Sequence, residues 1–149
     1  MSQGYLLVVD DNAGVRFLLF ELLTQEGYLV ETAENGIECL TQVQKKKPDL
    51  VILDAKMPGK SGLETVSELK KGNPDLPIIM MTAYSVIPLI NMALENGSVE
   101  CYLTKPFDLN QVRYHVKALV HKKLMPGQKP SPSGEKALAD RQVLCTSRN

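Results

Sequence analysis

Short apolar runs and amphipathic stretches alternate along the chain, and the alternation sets its fold class. Tyr5-Leu6-Leu7-Val8-Val9, Leu50-Val51-Ile52-Leu53, Pro77-Ile78-Ile79-Met80-Met81 and Cys101-Tyr102-Leu103-Thr104 are unbroken apolar or β-rich runs, the pattern of strands covered on both faces. Residues 28–33 read as a further strand. Between these runs the period changes to that of a helix. Val15, Leu18, Leu19, Leu22 and Leu23 recur before Gly27, and Ile37, Leu40 and Val43 form the predicted inward face of residues 36–47, which Pro48 ends. Leu63, Val66 and Leu69 open another helix, which stops near Gly72-Asn73-Pro74. A shorter one is predicted over Ile87–Glu95, with Pro88 tolerated in the first turn and Asn96-Gly97 at the end. Asp108 can cap a last helix whose stripe is Val112, Val116, Leu119 and Val120. Strict β-α alternation predicts an α/β fold, a doubly wound parallel sheet, because each right-handed crossover lays its helix on one face or the other.

The pattern lapses near Leu124. Residues 125–134, Met-Pro-Gly-Gln-Lys-Pro-Ser-Pro-Ser-Gly, are too poor in apolar surface to offset their ordering entropy. Residues 135–145 predict only a weak helix. The expected organisation is one domain over residues 4–123 and a flexible tail over residues 124–149 that carries no output domain. A chain of 149 residues has room for one good core and no second. Composition narrows the function further. Lys and Arg total 17 against 17 Asp and Glu, and aromatics are few, so direct nucleic-acid binding is not expected. Cys39, Cys101 and Cys145 are far apart with no CxxC pair, which reads as two packing residues and a tail thiol. The start of the chain carries no basic, apolar leader and no run is long enough to span a bilayer, so the expectation is a cytoplasmic protein without a membrane partner.

The chemistry lies where the strands end. Asp10-Asp11, Asp54, Thr82 and Lys105 each follow an apolar run, and in such sheets ligands bind beyond the carboxyl ends of the strands. Magnesium favours one or two carboxylates, retained waters and phosphate oxygens, a demand that Asp10 and Asp11 meet. Alone, a carboxylate there, or Asn12, would merely cap the next helix. Asp54 is a candidate nucleophile that accepts a phosphoryl group as an acyl phosphate, although alone it is equally a turn residue before Pro58-Gly59. The Thr82 hydroxyl can donate to a phosphate oxygen, with Ala83 leaving space, and Lys105 brings a long cationic stem to the same oxygens. A strand-end Thr is usually a β-former and a lone Lys a solvated charge. Four such positions in order, each behind its own strand, point to one site.

These residues resemble the receiver domain of two-component response regulators, over nearly all of residues 5–121. Val8-Val9-Asp10-Asp11, Leu53-Asp54 with Met57-Pro58-Gly59 and Gly62, Met81-Thr82-Ala83 and Tyr102-Leu103-Thr104-Lys105-Pro106-Phe107 carry the resemblance. It implies a five-stranded flavodoxin-like sheet of order 2-1-3-4-5. It also implies that Asp54 is phosphorylated from a phosphohistidine, with magnesium held by Asp11, Asp54 and the main-chain carbonyl of Lys56, and by Asp10 through water. Thr82 and Lys105 then bind the phosphoryl oxygens, Thr82 and Tyr102 form the switch, and the Lys105-Pro106 bond is cis. On the sequence alone a strand Tyr is more often a packing residue.

Within the family the likeness is greatest to stand-alone receivers of sporulation phosphorelays, then to receivers of nitrogen-regulatory transcription factors. Asp10 to Arg16, Lys56, Thr82-Ala83-Tyr84 and Lys105 to Asp108 carry it. The implied partners are a sensor histidine kinase and a histidine phosphotransferase, met by a monomer or weak dimer. They would dock on Asn12, Gly14, Val15 and Leu18 with Pro106 and Phe107 beside them, while Val15 and Leu18 are equally placed to be core positions of an amphipathic helix. The expected function is phosphoacceptance and onward transfer. The alternatives are a direct effector that binds a target when phosphorylated, or the receiver part of a transcriptional regulator, although only a short tail follows here. Residues 97–105 run one residue longer than the family spacing. An aspartyl-phosphate hydrolase is disfavoured because Lys56 stands where its second aspartate belongs. A scaffold-only receiver is disfavoured by the intact acidic pair, and a flavin fold by the acidic first β-α loop.

Overall fold

A computed structural model describes residues 4–82, 87–106 and 108–124. Ala83, Tyr84, Phe107, Cys145 and the rest of the predicted tail beyond Leu124 lie outside the described residues. Five strands and five helices alternate: β1 Tyr5–Val9, α1 Ala13–Gln25, β2 Leu29–Ala33, α2 Gly36–Lys45, β3 Leu50–Asp54, α3 Gly62–Gly72, β4 Ile78–Thr82, α4 Ile87–Glu95, β5 Cys101–Thr104 and α5 Leu109–Leu124. All pairings are parallel and the order is β2-β1-β3-β4-β5.

β1, β3 and β4 are buried along their whole length, which explains their unbroken apolar sequence. Successive residues feed opposite cores. Leu6 and Val8 pack with Leu19, Leu22 and Leu23 of α1 and with Val112, Val116 and Val120 of α5. Leu7 and Val9 pack with Cys39 and Val43 of α2, Val66 and Leu69 of α3, and Ile90 of α4. Each fully buried aliphatic side chain contributes about 1.5–3 kcal/mol, so these two layers supply the main driving force. Cys39 and Cys101 are buried packing residues, as their spacing implied.

Local signals fix the ends. Asn12, Asn35 and Ser61 cap α1, α2 and α3, and Ser61 with Glu64 forms a reciprocal capping box. Gly27 follows the α1 cap at φ 99°, a left-handed position that glycine occupies without strain. Asp108 opens α5 by accepting the Asn110 N–H at 2.7 Å.

One helix face differs from expectation. Ile37 is 64% exposed, whereas Gly36, Cys39 and Val43 are buried and Leu40 packs against the core. Ile37 lies about 100° around the helix from Gly36. A glycine gives no hydropathy signal, yet this one lets α2 approach α3: a β-carbon on Gly36 would meet Thr65 Oγ1 at 2.2 Å. After α4, Ser98 N and Val99 N both donate to Ala93 O, Val99 enters the core, and Glu100 bonds the start of β4 through both its N–H and its carboxylate.

Candidate functional site

β1 and β3 are adjacent, so their carboxyl ends deliver Asp10, Asp11 and Asp54 to one place. The three carboxylates offer oxygens that all lie within 4.8 Å of one another. Asp10 is fully buried and Asp54 is 5% exposed, whereas Asp11 is open to solvent. An all-oxygen set of this kind suits a hard divalent cation such as magnesium.

Lys105 completes the cluster from the loop after β5. Its Nζ lies 2.8 Å from Asp10 Oδ2 and 3.5 Å from Asp54 Oδ2. Burial works against the ammonium, but Asp10 and then Asp54 outweigh it and hold Lys105 above its usual range. Asp54 moves the other way from an ordinary carboxylate. Burial and then the charge of Asp10 push it up to about 6, against the opposing pull of Lys105. Three acidic groups with one ammonium among them leave Asp54 electrostatically undercompensated, a condition that a divalent cation relieves.

Asp10 and Asp11 have distinct surroundings. Asp10 Oδ1 accepts the Asn12 N–H at 2.9 Å and Oδ2 accepts from Lys105, so its oxygens are engaged by the protein. Asp11 projects outward. Lys56 is exposed, and its N–H reaches Asp54 Oδ1 at 3.4 Å. Thr82 is buried at the end of β4, where its carbonyl accepts the Lys105 N–H at 2.8 Å, while Ala55 N donates to Met81 O at 2.8 Å. The strand that ends in Asp54, the threonine and the lysine are thus tied by main-chain bonds. Tyr102 is buried in the core on the α4 side, and the Lys105-Pro106 bond is cis.

The expected docking residues divide. Asn12 is exposed but its Oδ1 is occupied by the Val15 N–H at 3.1 Å, so it serves as the helix cap. Gly14 and Pro106 are exposed, Leu18 is 41% exposed, and Val15 is half-buried against the α1/α5 core. The alternatives left open for the two apolar residues resolve differently: Val15 is a core-flank residue and Leu18 a surface one. Two contributors entered the sequence reading only as carriers of the resemblance, with no role assigned. Arg16 donates from Nη1 to Asp10 O at 2.8 Å, and Gly62 lies against the main chain of Asp54 and Ala55. Arg16 stood in the stretch that carries the likeness, but nothing in it signals a bond to a main-chain oxygen; Gly62 also stood in the dense turn sequence before α3.

The response regulator receiver domain model matches residues 6–117. The chain is similar to sporulation initiation phosphotransferase F of Bacillus subtilis (strain 168), 40% identical over 117 residues that make up 78% of this chain and 94% of that protein. It is 38% identical to the DNA-binding transcriptional regulator NtrC of Escherichia coli (strain K12) over 111 residues, 74% of this chain but 24% of that regulator. Among solved structures, response regulator TrrA of Thermotoga maritima, determined in complex with Mg2+ and BeF, is 42% identical with a TM-score of 0.70, covering 80% of this chain and 99% of that one.

Proposed function

The chain belongs to the response regulator receiver family, and from that membership we propose that Asp54 accepts a phosphoryl group from a phosphohistidine of a partner protein, with magnesium at the acidic cluster. The observation that carries the reading is the gathering of Asp10, Asp11 and Asp54 around one ammonium, that of Lys105. Asp11, Asp54 and the main-chain carbonyl of Lys56 would hold the ion directly and Asp10 through water. When bound, magnesium supplies positive charge to the carboxylates and to the phosphoryl oxygens.

In the transfer an Asp54 carboxylate oxygen attacks phosphorus and forms the P–O bond as the P–N bond to the partner imidazole breaks, with the electron pair remaining on nitrogen. The Lys105 ammonium stabilises charge on the phosphoryl oxygens, and the Thr82 hydroxyl donates to one of them. Thr82 and Tyr102 form the switch that reports the phosphorylated state. The reverse step hands the group to a second histidine, so the protein works between a sensor histidine kinase and a histidine phosphotransferase. It is a phosphoacceptor and signalling protein, not a turnover enzyme, because Lys56 provides no carboxylate base for hydrolysis. The exposed Gly14, Leu18 and Pro106 support docking beside the site.

Intact-mass measurement after incubation with acetyl phosphate and magnesium tests the reading. One phosphoryl adduct is expected on the wild type and none on Asp54→Asn. Equal labelling of the two would remove Asp54 from the role.

A further inference from the structure

Arg16 reaches from the first turn of α1 back to the end of β1, and its half-buried guanidinium donates through Nη1 to the main-chain oxygen of Asp10 at 2.8 Å. The Asn12 N–H takes Asp10 Oδ1 at 2.9 Å and Lys105 takes Oδ2 at 2.8 Å. Every oxygen of Asp10, main chain and side chain, therefore has a protein donor. The bond made by Arg16 differs from the other two in acting on the peptide unit that joins Asp10 to Asp11. Fixing that unit fixes the direction in which the exposed Asp11 leaves the chain, and hence its distance from Asp54.

We propose that Arg16 is a positioning residue for the magnesium site: by clamping the Asp10-Asp11 peptide to the first turn of α1 it holds the acidic pair in the arrangement that gathers three carboxylates within 4.8 Å. This rests on the magnesium reading given above. The guanidinium also carries positive charge close to a cation site, and the two effects have opposite signs. If charge repulsion were its main contribution, removing Arg16 would tighten magnesium binding. If positioning dominates, removal loosens it, since supporting contacts behind metal ligands are worth about 10–100-fold in affinity.

The test is magnesium titration of the full chain, followed by amide NMR shifts, for wild type, Arg16→Ala and Arg16→Lys. Arg16→Ala should raise the half-saturating magnesium concentration about tenfold. Arg16→Lys keeps the charge and one N–H donor on a flexible stem, and should recover part of the loss. Labelling by acetyl phosphate should need more magnesium in Arg16→Ala yet regain most of the wild-type rate at saturation. A residue that merely stabilised the fold would lower the melting temperature without moving the magnesium dependence. Unchanged or tighter binding by the folded Ala variant overturns the proposal; if that variant does not fold, unchanged or tighter binding by Arg16→Lys does so. A wild type that shows no magnesium titration overturns the metal reading beneath it, an outcome distinct from a titrating wild type with unmoved variants.

Discussion

A β-carbon on Gly62 would lie 2.1 Å from the main-chain oxygen of Asp54. The same atom would come within 2.7 Å of Ala55 Cα, and Gly62 N already donates to Ala55 O at 3.0 Å. The first residue of α3 therefore packs directly on the backbone of Asp54, in a space that no side chain can share. Gly62→Ala should cost about 1–3 kcal/mol in stability, the usual range for overpacking a tight contact. Because the displaced backbone is that of Asp54, labelling by acetyl phosphate should slow more than in a control that loses equal stability elsewhere, such as Leu69→Val in the α3 core. Urea denaturation and intact-mass time courses on both variants check this.

The elevated pKa of Asp54 gives a pH dependence with a definite sign. Raised from 3.8 to about 6 by burial and by Asp10, the group binds its proton more tightly in the folded state than in the unfolded one. Its contribution to stability is therefore complete at low pH, falls as pH rises between about 4 and 6, and is absent above that window. Asp54→Asn should stabilise the metal-free protein at pH 7.5 by up to about 3 kcal/mol. The gain should vanish below about pH 4, where the wild-type carboxyl is also neutral. Magnesium should narrow the difference by stabilising the wild type alone. Denaturation of both proteins in chelator at several pH values measures it, and a gain independent of pH would contradict the assignment.

The strands and most of the site were legible because each depends on a short stretch of chain. Leu50 to Leu53 reads as a strand because both faces of β3 are covered, and Asp54 is conspicuous as the first charge after it. The helices were legible where side chains mark the inward face, as in Leu19, Leu22 and Leu23. The reading failed at α2, where Gly36 marks the buried face by having no side chain and Ile37 is left outside. Capping by Asn35 and the box of Ser61 with Glu64 were within reach of sequence pattern but subtler than the apolar stripes beside them. The Arg16 bond to the Asp10 carbonyl could not be read, because a main-chain acceptor leaves no trace in residue identity.

Lys105 carries structural weight as well as chemistry. Asp10 is completely buried and, among the described residues, Lys105 is the cation paired with its carboxylate. Removing the ammonium leaves a buried charge without compensation, which costs about 3–5 kcal/mol in comparable pairs. Lys105→Met should thus be destabilised by that order at neutral pH. Adding Asp10→Asn to Lys105→Met should restore part of the loss. By contrast, Lys47→Ala breaks only the exposed pair with Asp75 and should change stability by less than about 1 kcal/mol. Urea denaturation of the three variants beside the wild type gives the comparison.

The last prediction concerns which α1 residues a histidine-bearing partner touches. Leu18 is 41% exposed and lies outside both core clusters, whereas Val15 is half-buried and packs against the core that α1 shares with α5. If the phosphohistidine donor docks beside the acidic site, Leu18→Ala removes contact area without loosening the fold. Transfer from a phosphorylated histidine phosphotransferase at subsaturating concentration should slow about tenfold, the effect of losing about 1–2 kcal/mol of interface energy. Labelling by acetyl phosphate, which needs no docking surface, should be unchanged. Val15→Ala should slow transfer too, but with a loss of stability of about 1–2 kcal/mol because its truncation leaves space against the core. Radiolabel transfer, acetyl phosphate labelling and urea denaturation on both variants separate the two positions. A Leu18→Ala protein that receives phosphoryl groups from the protein donor at the wild-type rate would place the docking surface elsewhere on the molecule.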